Sequence, residues 1–362
     1  MNLKRLGSIA AIAVVGTMLL SSCAANESPD SSPAETTKLS GTLNGSGASS
    51  QGSASDAWVA AFQTEHSDVT VNYSPDGSGA GRKAFISGGV QYAGSDSALS
   101  DAELAGSFAG CAPDSKAIDV PVYISPIAVI FNVDGLDKLN LDAATIAGIF
   151  KGTITSWDDP AIAALNPSAT LPSAAIHAVH RSDDSGTTKN FADYLNQVAP
   201  EVWDAAPADT FPYKGGEAAQ GTSGVVDAVT NGKNTIGYAD ASRAGKLGVA
   251  AIKVGTEFVG YSAKAAAEVV AGSPLVEGRS ANDIAIKLDR KTTDPTHYPL
   301  VLVSYLIACQ QYPDAAVANL VKAYLGYIAS DAGQSEAAAS AGSAPLSADL
   351  AGKVKAAIAT IK

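Results

Sequence analysis

Positive charge is scarce in this chain. Its 362 residues carry 24 Lys and Arg against 36 Asp and Glu, a formal net charge of −12. With no basic patch to neutralise phosphates, nucleic acid is excluded as a partner. Any anion it binds must be held by local dipoles and an arginine, not by the overall field. Histidine and cysteine are also sparse, at 4 and 3. His66, His177, His180 and His297 fall in no motif, and Cys111 and Cys309 lie far apart, so no metal-ligand spacing exists and no cofactor is expected. A nucleotide fingerprint is missing too. Gly45-Ser46-Gly47 has no third glycine three places on, and Gly-Lys followed by Ser or Thr occurs nowhere. Beyond the leader, no apolar run reaches membrane-spanning length.

Residues 1–22 have the layout of an export signal, with Lys4 and Arg5 ahead of an apolar core from Ile9 to Leu20. That core is short for a membrane span. Leu20-Ser21-Ser22-Cys23 resembles a bacterial lipobox and makes Cys23 the expected lipidated residue; an ordinary signal peptide with an incidental cysteine is the alternative. Residues 23–39, rich in Ser, Pro, Glu and Thr, read as a flexible tether. The protein is thus expected outside the bacterial cell, held to the outer face of the membrane by lipid alone. There Cys111 and Cys309 can form a disulfide, with two separate buried thiols as the alternative.

The remaining chain alternates strand and helix signals. The most informative stretch is H-R-S-D-D-S-G-T-T at 180–188. A short apolar strand precedes it, and Phe191, Tyr194, Leu195 and Val198 follow at helical spacing, so it is a strand-to-helix turn. Ser185 and Thr187 stand where N-cap hydroxyls belong, and a helix start offers free N–H groups to anions. Two similar Gly/Ser loops occur earlier, at 43–50 and 76–81, each opening a helix. The class is therefore α/β with a largely parallel sheet. Two apolar runs, at 118–131 and 298–308, suit strands passing between lobes. They divide the chain into lobe I, 40–118 plus 299–362, and lobe II, 119–298, which places Cys111 and Cys309 in one lobe.

The three loops and Arg181 supply only donors. Asp96, at a strand's carboxyl end, is the exception. In an anion site a carboxylate is costly unless the ligand brings a proton, as protonated phosphate does and sulfate does not; a site built on such an acceptor rejects the ligand lacking the donor. The competing reading has Asp96 capping a helix near Leu99 to Leu104. Asp183-Asp184-Ser185-Gly186 faintly echoes the surroundings of a serine-hydrolase nucleophile, but no histidine is placed to serve it.

Seven ordered segments carry a resemblance. They are L-N-G-S-G-A-S-S at 43–50, V-N-Y-S-P-D-G-S-G-A-G at 71–81, Y-A-G-S-D-S-A-L-S-D at 92–101, I-F-K-G-T-I-T-S-W-D-D-P-A-I-A-A-L-N-P at 149–167, the 180–188 stretch, I-G-Y-A-D at 236–240 and Y-P-L at 298–300. Together they resemble the extracytoplasmic phosphate-binding proteins of Pst-type ABC transporters, over nearly the whole mature chain. The resemblance implies a two-lobed periplasmic-binding-protein fold of type II, closing on a hinge over one phosphate. It also implies a monomer that binds without catalysis and docks on a permease, with a sulfate or molybdate binder as the alternative. It assigns phosphate contacts to Ser49, Ser50, Ser78, Asp96, Arg181, Ser185, Gly186 and Thr187, with Asp96 accepting the phosphate proton and Asp183 orienting Arg181. The family often has a larger residue, commonly aromatic, where Ser50 stands. Asp184, where glycine is common, is expected to be a solvated loop residue.

Overall fold

Strands and helices alternate from the first residues of the computed structural model, which describes residues 38–362. They are β1 (Gly41–Gly47), α1 (Gly52–Glu65), β2 (Val69–Ser74), α2 (Ser78–Ile86), β3 (Tyr92–Ser95) and the short α3 (Asp101–Leu104). The export leader, the lipidation residue Cys23 and nearly all of the tether lie outside the described residues. The first apolar run is one strand, β4 (Ala117–Asn132). There follow β5 (Asn140–Leu141), α4 (Ala143–Lys151), α5 (Pro160–Leu165), β6 (His177–Arg181), α6 (Gly186–Val198), β7 (Glu217–Ala219), α7 (Gly221–Asn231) and β8 (Thr235–Asp240). Next, β9 (Gly248–Val249) leads into β10 (Ala251–Val254) and β11 (Glu257–Val259), and the latter two join β5 in a separate three-stranded sheet. The chain ends with α8 (Ala263–Ala271), β12 (Val301–Cys309), α9 (Ala315–Ile328), α10 (Asp331–Ala341) and α11 (Ala348–Ala359).

The main sheet has the order β2-β1-β3-β12-β4-β8-β6-β7, with β9 also on β4. Parallel pairing is confined to its two flanks, β2-β1-β3 and β8-β6-β7. The sequence predicts a largely parallel sheet; the observed one is mixed, because β12 runs against β3 and β4 runs against both β12 and β8. β4 changes partner along its length. Residues from Ala117 to Pro126 pair with β12, and those from Ile127 to Asn132 pair with β8. Beside Pro121 the β4–β12 register slips by one residue and Val122 has no partner, a bulge where proline cannot donate to the ladder.

β4 and β12 are buried on both faces, which is why they read as nearly continuous apolar runs and not as alternations. Ile127, Val129 and Phe131 of β4 join the large core, while Ala128 and Ile130 face a smaller cluster with Val179, Val225, Val229, Ala239 and Ala244. Cys111 and Cys309 form a disulfide, with Cα atoms 5.5 Å apart across a separation of 198 residues. Of the two states the sequence left open, the bridge is the one found.

The C-terminal helices cover the β1 flank. Trp58 of α1 is buried and its Nε1 donates to Gly333 O of α10 at 2.7 Å. Ser347 caps α11, accepting from the Leu350 N–H. Sequence periodicity does not announce α10, whose buried positions are only Gly333, Gln334, Ala337 and Ala341. Its residues have little apolar contrast, so packing against α1 and the Ser330 cap decide it.

Candidate functional site

The predicted residues gather where the two parallel flanks meet. Backbone proximity makes this gathering possible. Gly47, at the end of β1, has φ +149°, and a Cβ there would lie 1.8 Å from the Gly94 carbonyl of β3. Only glycine lets the two strand ends approach so closely. The Gly77 N–H donates to Gly47 O at 2.8 Å, which fixes the start of α2 against the same point. Ser49, Ser50, Ser78 and Asp96 are thereby drawn together from three separate turns.

Asp96 is only 4% exposed. Helix α3 is capped by Ser100, which forms a capping box with Glu103, so the helix-cap reading of Asp96 does not hold. Its Oδ1 accepts from Ser50 Oγ at 2.6 Å, and its Oδ2 accepts from Thr187 Oγ1 at 2.8 Å. Its own N–H donates to Ser78 Oγ at 3.0 Å, and its carbonyl accepts from Asn190 Nδ2 at 2.8 Å. The start of α6 therefore presses directly on the end of β3. A Cβ on Gly186 would stand 2.7 Å from both Asp96 Cβ and Ser78 Oγ. Burial pushes the Asp96 carboxyl above its usual range, although the hydroxyls of Ser50, Ser304 and Thr187 and the charge of Arg181 pull the other way.

Arg181 ends β6 and is buried. Its Nε donates to Asp183 Oδ1 at 2.7 Å, and a second guanidinium nitrogen donates to Asp183 Oδ2, a bidentate grip. The Gly221 N–H at the start of α7 also donates to Asp183 Oδ1, at 2.9 Å. Burial works against the Asp183 charge, but Arg181 and this N–H outweigh it and hold its carboxyl below the usual range. The Arg181 side chain is thus oriented from two elements.

Ser185 caps α6, its Oγ accepting from the Thr188 N–H at 3.1 Å. Its own N–H is turned away, donating to Asp209 O at 2.9 Å. Among the expected donors of this turn, that leaves the Ser185 hydroxyl and the N–H groups of Gly186 and Thr187, first-turn positions with no acceptor inside the helix. Ser49 Oγ accepts from the Thr222 N–H and meets Thr222 Oγ1, both at 3.0 Å.

Several residues of this region went unnoticed in the sequence. Thr222 opens α7 after Gln220-Gly221, the same hydroxyl-at-a-helix-start signature that marked the other loops, and that signal could have found it. Arg82 and Asp209 had no local signal. Arg82, buried on α2, donates to Glu103 at 2.9 Å, to Ser95 Oγ at 3.1 Å and to Asp209 at 2.6 Å. Asp209 lies in the loop before β7 and also accepts from Ser97 Oγ at 3.2 Å. Asp184, expected to be merely solvated, pairs with Lys83 at 2.6 Å and accepts the Gly79 N–H on its carbonyl at 2.9 Å. It is half-exposed yet ties α2 to the α6 turn.

The arrangement does not suit acyl transfer. Ser185 Oγ is a helix cap, and His180 stacks on Phe211 while its ring nitrogens face Arg181 O and Gly215 O. Among the described residues no group of three or more His, Cys, Asp or Glu could hold a metal ion. What it can do is surround a small oxyanion with fixed donors and one buried acceptor.

Comparison with known proteins adds to this. The PBP superfamily domain matches residues 32–332. The chain is 37% identical over 340 residues to phosphate-binding protein PstS 3 of Mycobacterium leprae, covering 90% of each. It is 35% identical over 339 residues to PstS 3 of Mycobacterium tuberculosis, again at 90% of each. Among solved structures, it superposes on a high-affinity periplasmic phosphate-binding protein, PfluDING, with a TM-score of 0.71 and 24% identity, over 87% of this chain and 93% of that one. A phosphate ABC transporter substrate-binding protein from Clostridium perfringens matches with a TM-score of 0.57 and 20% identity, over 83% of this chain and 98% of that one. Those two likenesses concern the fold.

Proposed function

Because the chain belongs to the PstS family of phosphate-binding proteins within the PBP superfamily, we propose that it captures inorganic phosphate outside the cell and delivers it to an ABC permease. Its relatives are named for phosphate binding, and the fold is that of proteins solved with phosphate bound. The observation that carries the reading is Asp96, a buried carboxylate that accepts from Ser50 and Thr187, with Ser78 on its backbone N–H and the charge of Arg181 acting on it. A ligand with a P–OH group satisfies such an acceptor; sulfate and molybdate, without a proton at neutral pH, set an oxygen against a like charge. Phosphate is held by Arg181, by the Ser49 and Ser50 backbone with the Ser49 hydroxyl, by Ser78, and by Ser185, Gly186 and Thr187, while Asp183 orients Arg181.

Capture involves no chemistry. Two lobes, 40–118 plus 299–362 and 119–298, close on the crossing strands β4 and β12 and shut water out, which strengthens each hydrogen bond. The change of partner along β4 supports a hinge there. The protein works as a monomer without a cofactor, and it is exported and anchored by lipid on Cys23. The Cys111–Cys309 bridge supports an oxidising compartment.

Titration calorimetry of phosphate-stripped protein tests the reading. Inorganic phosphate is expected to bind at one site per chain, with sulfate and molybdate at least 10³-fold weaker, on the order expected when a buried acceptor goes unpaired. Equal affinity for sulfate, or turnover of p-nitrophenyl phosphate that Ser185→Ala abolishes, would overturn it.

A further inference from the structure

Ser50 has a second task that its backbone does not perform. Its Oγ lies 2.6 Å from Asp96 Oδ1, a charge-assisted distance for a hydroxyl on a carboxylate. Ser50 itself is buried. Thr187 Oγ1 donates to the other oxygen, but it reaches across from α6, on the opposite flank of the sheet. Ser50 and Asp96 belong to the same flank. β1 and β3 pair in register from Gly45 with Tyr92 to Gly47 with Gly94, just before the turns that carry them. Their contact therefore survives any separation of the flanks, whereas the Thr187 contact does not.

We propose that the Ser50 hydroxyl is a specificity-determining positioning residue, which keeps the Asp96 carboxylate ionised and aimed before ligand arrives and so preserves phosphate-over-sulfate selection in mildly acidic surroundings. This rests on the phosphate reading above. A carboxylate has about four lone-pair positions. Ser50 and Thr187 take one on each oxygen, Ser304 of β12 adds a third hydroxyl beside them, and the rest remain for a P–OH. Were Asp96 protonated, it would become a donor, and sulfate would find a hydrogen bond where it now meets a like charge.

The surroundings make this a live risk. Burial favours the protonated acid, and the groups facing it divide. Arg181, from β6, favours the charge, though it is shared with Asp183. Asp240, from β8, is pushed up to about 6 by burial, with the Asp96 charge adding to that, and Tyr73, from β2, feels the same charge. Hydroxyl donors are the remaining counterweight: Ser304 on β12, the strand beside β3, and Ser50 on the carboxylate's own flank at 2.6 Å.

Calorimetry with inorganic phosphate and with sulfate, from pH 5 to 8, on the parent, Ser50→Ala and Ser50→Thr decides the matter. For Ser50→Ala the acid-side loss of phosphate affinity should begin about one pH unit higher, and the sulfate-to-phosphate affinity ratio at pH 5.5 should rise about tenfold. Ser50→Thr, which keeps the hydroxyl, should restore both. An unchanged ratio and pH profile in Ser50→Ala would overturn the proposal, as would a Ser50→Thr variant that behaves like alanine. A parent that binds no phosphate at any pH would instead overturn the underlying reading.

Discussion

Asp96 is an acid placed where its charge is expensive and its hydrogen-bonding capacity is valuable. Burial resists ionisation, while three hydroxyls and one guanidinium favour it. The proposed discrimination between phosphate and sulfate rests on that balance. Asp96→Asn is expected to raise sulfate affinity by at least about tenfold while weakening phosphate by less, because the amide can donate where the carboxylate could only accept. Calorimetry of both anions on mutant and parent checks this, and undiminished sulfate rejection would remove Asp96 from its role. In the sequence, Asp96 was legible as the sole acceptor among donors but equally as a helix cap. The capping box on Ser100 separates the readings, and that depended on where α3 begins. The Ser50 contact was not legible at all. It joins residues 46 apart in sequence, and no local pattern tells a serine which carboxylate it will meet.

At the scale of elements, helix starts do most of the positioning. α2, α6 and α7 each open with a hydroxyl or glycine pair, and each start touches a residue of another turn: Ser78 the Asp96 N–H, Thr187 the Asp96 carboxylate, Thr222 the Ser49 hydroxyl. The loop before β7 adds a clasp. Asp209 reaches Arg82 of α2 and Ser97 beyond β3, while its carbonyl holds the Ser185 N–H. If the flanks separate to admit phosphate, this ion pair must break without ligand taking part. Asp209→Asn is therefore expected to speed phosphate release by roughly tenfold, the equivalent of about 1.4 kcal/mol, since it weakens only the closed arrangement. Stopped-flow release measurements test it; an unchanged rate would mean that the Arg82–Asp209 contact joins surfaces that never part. Element types were readable from periodicity and caps, as at α6, but a loop such as the one carrying Asp209 has no period to read.

For the whole molecule, two strands and one disulfide matter most. β4 serves both flanks of the sheet, and β12 lies beside its first part and ends at Cys309. The bridge to Cys111 closes a separation of 198 residues, for which the chain-entropy model expects about 5 kcal/mol of stabilisation. Replacing both cysteines by serine should lower the unfolding midpoint by on the order of 10 °C. Scanning calorimetry of parent and double variant measures it. An unshifted midpoint would mean that the unfolded chain is as constrained without the bridge as with it.

What the sequence determined by itself was whatever is encoded locally: alternating element types, three hydroxyl-rich helix starts, two apolar runs too continuous for half-exposed strands, and Arg181 with its neighbour Asp183. Each of these is a relation between residues a few positions apart, or a property of one uninterrupted segment. Tertiary structure alone decided the mixed sheet, the identity of the Asp96 donors, the Arg82–Asp209 clasp and the bonded state of the two cysteines. Those are contacts between distant segments, and they are set by how strands pair and stack, because burial and hydrogen bonding depend on distance in space and not on distance along the chain.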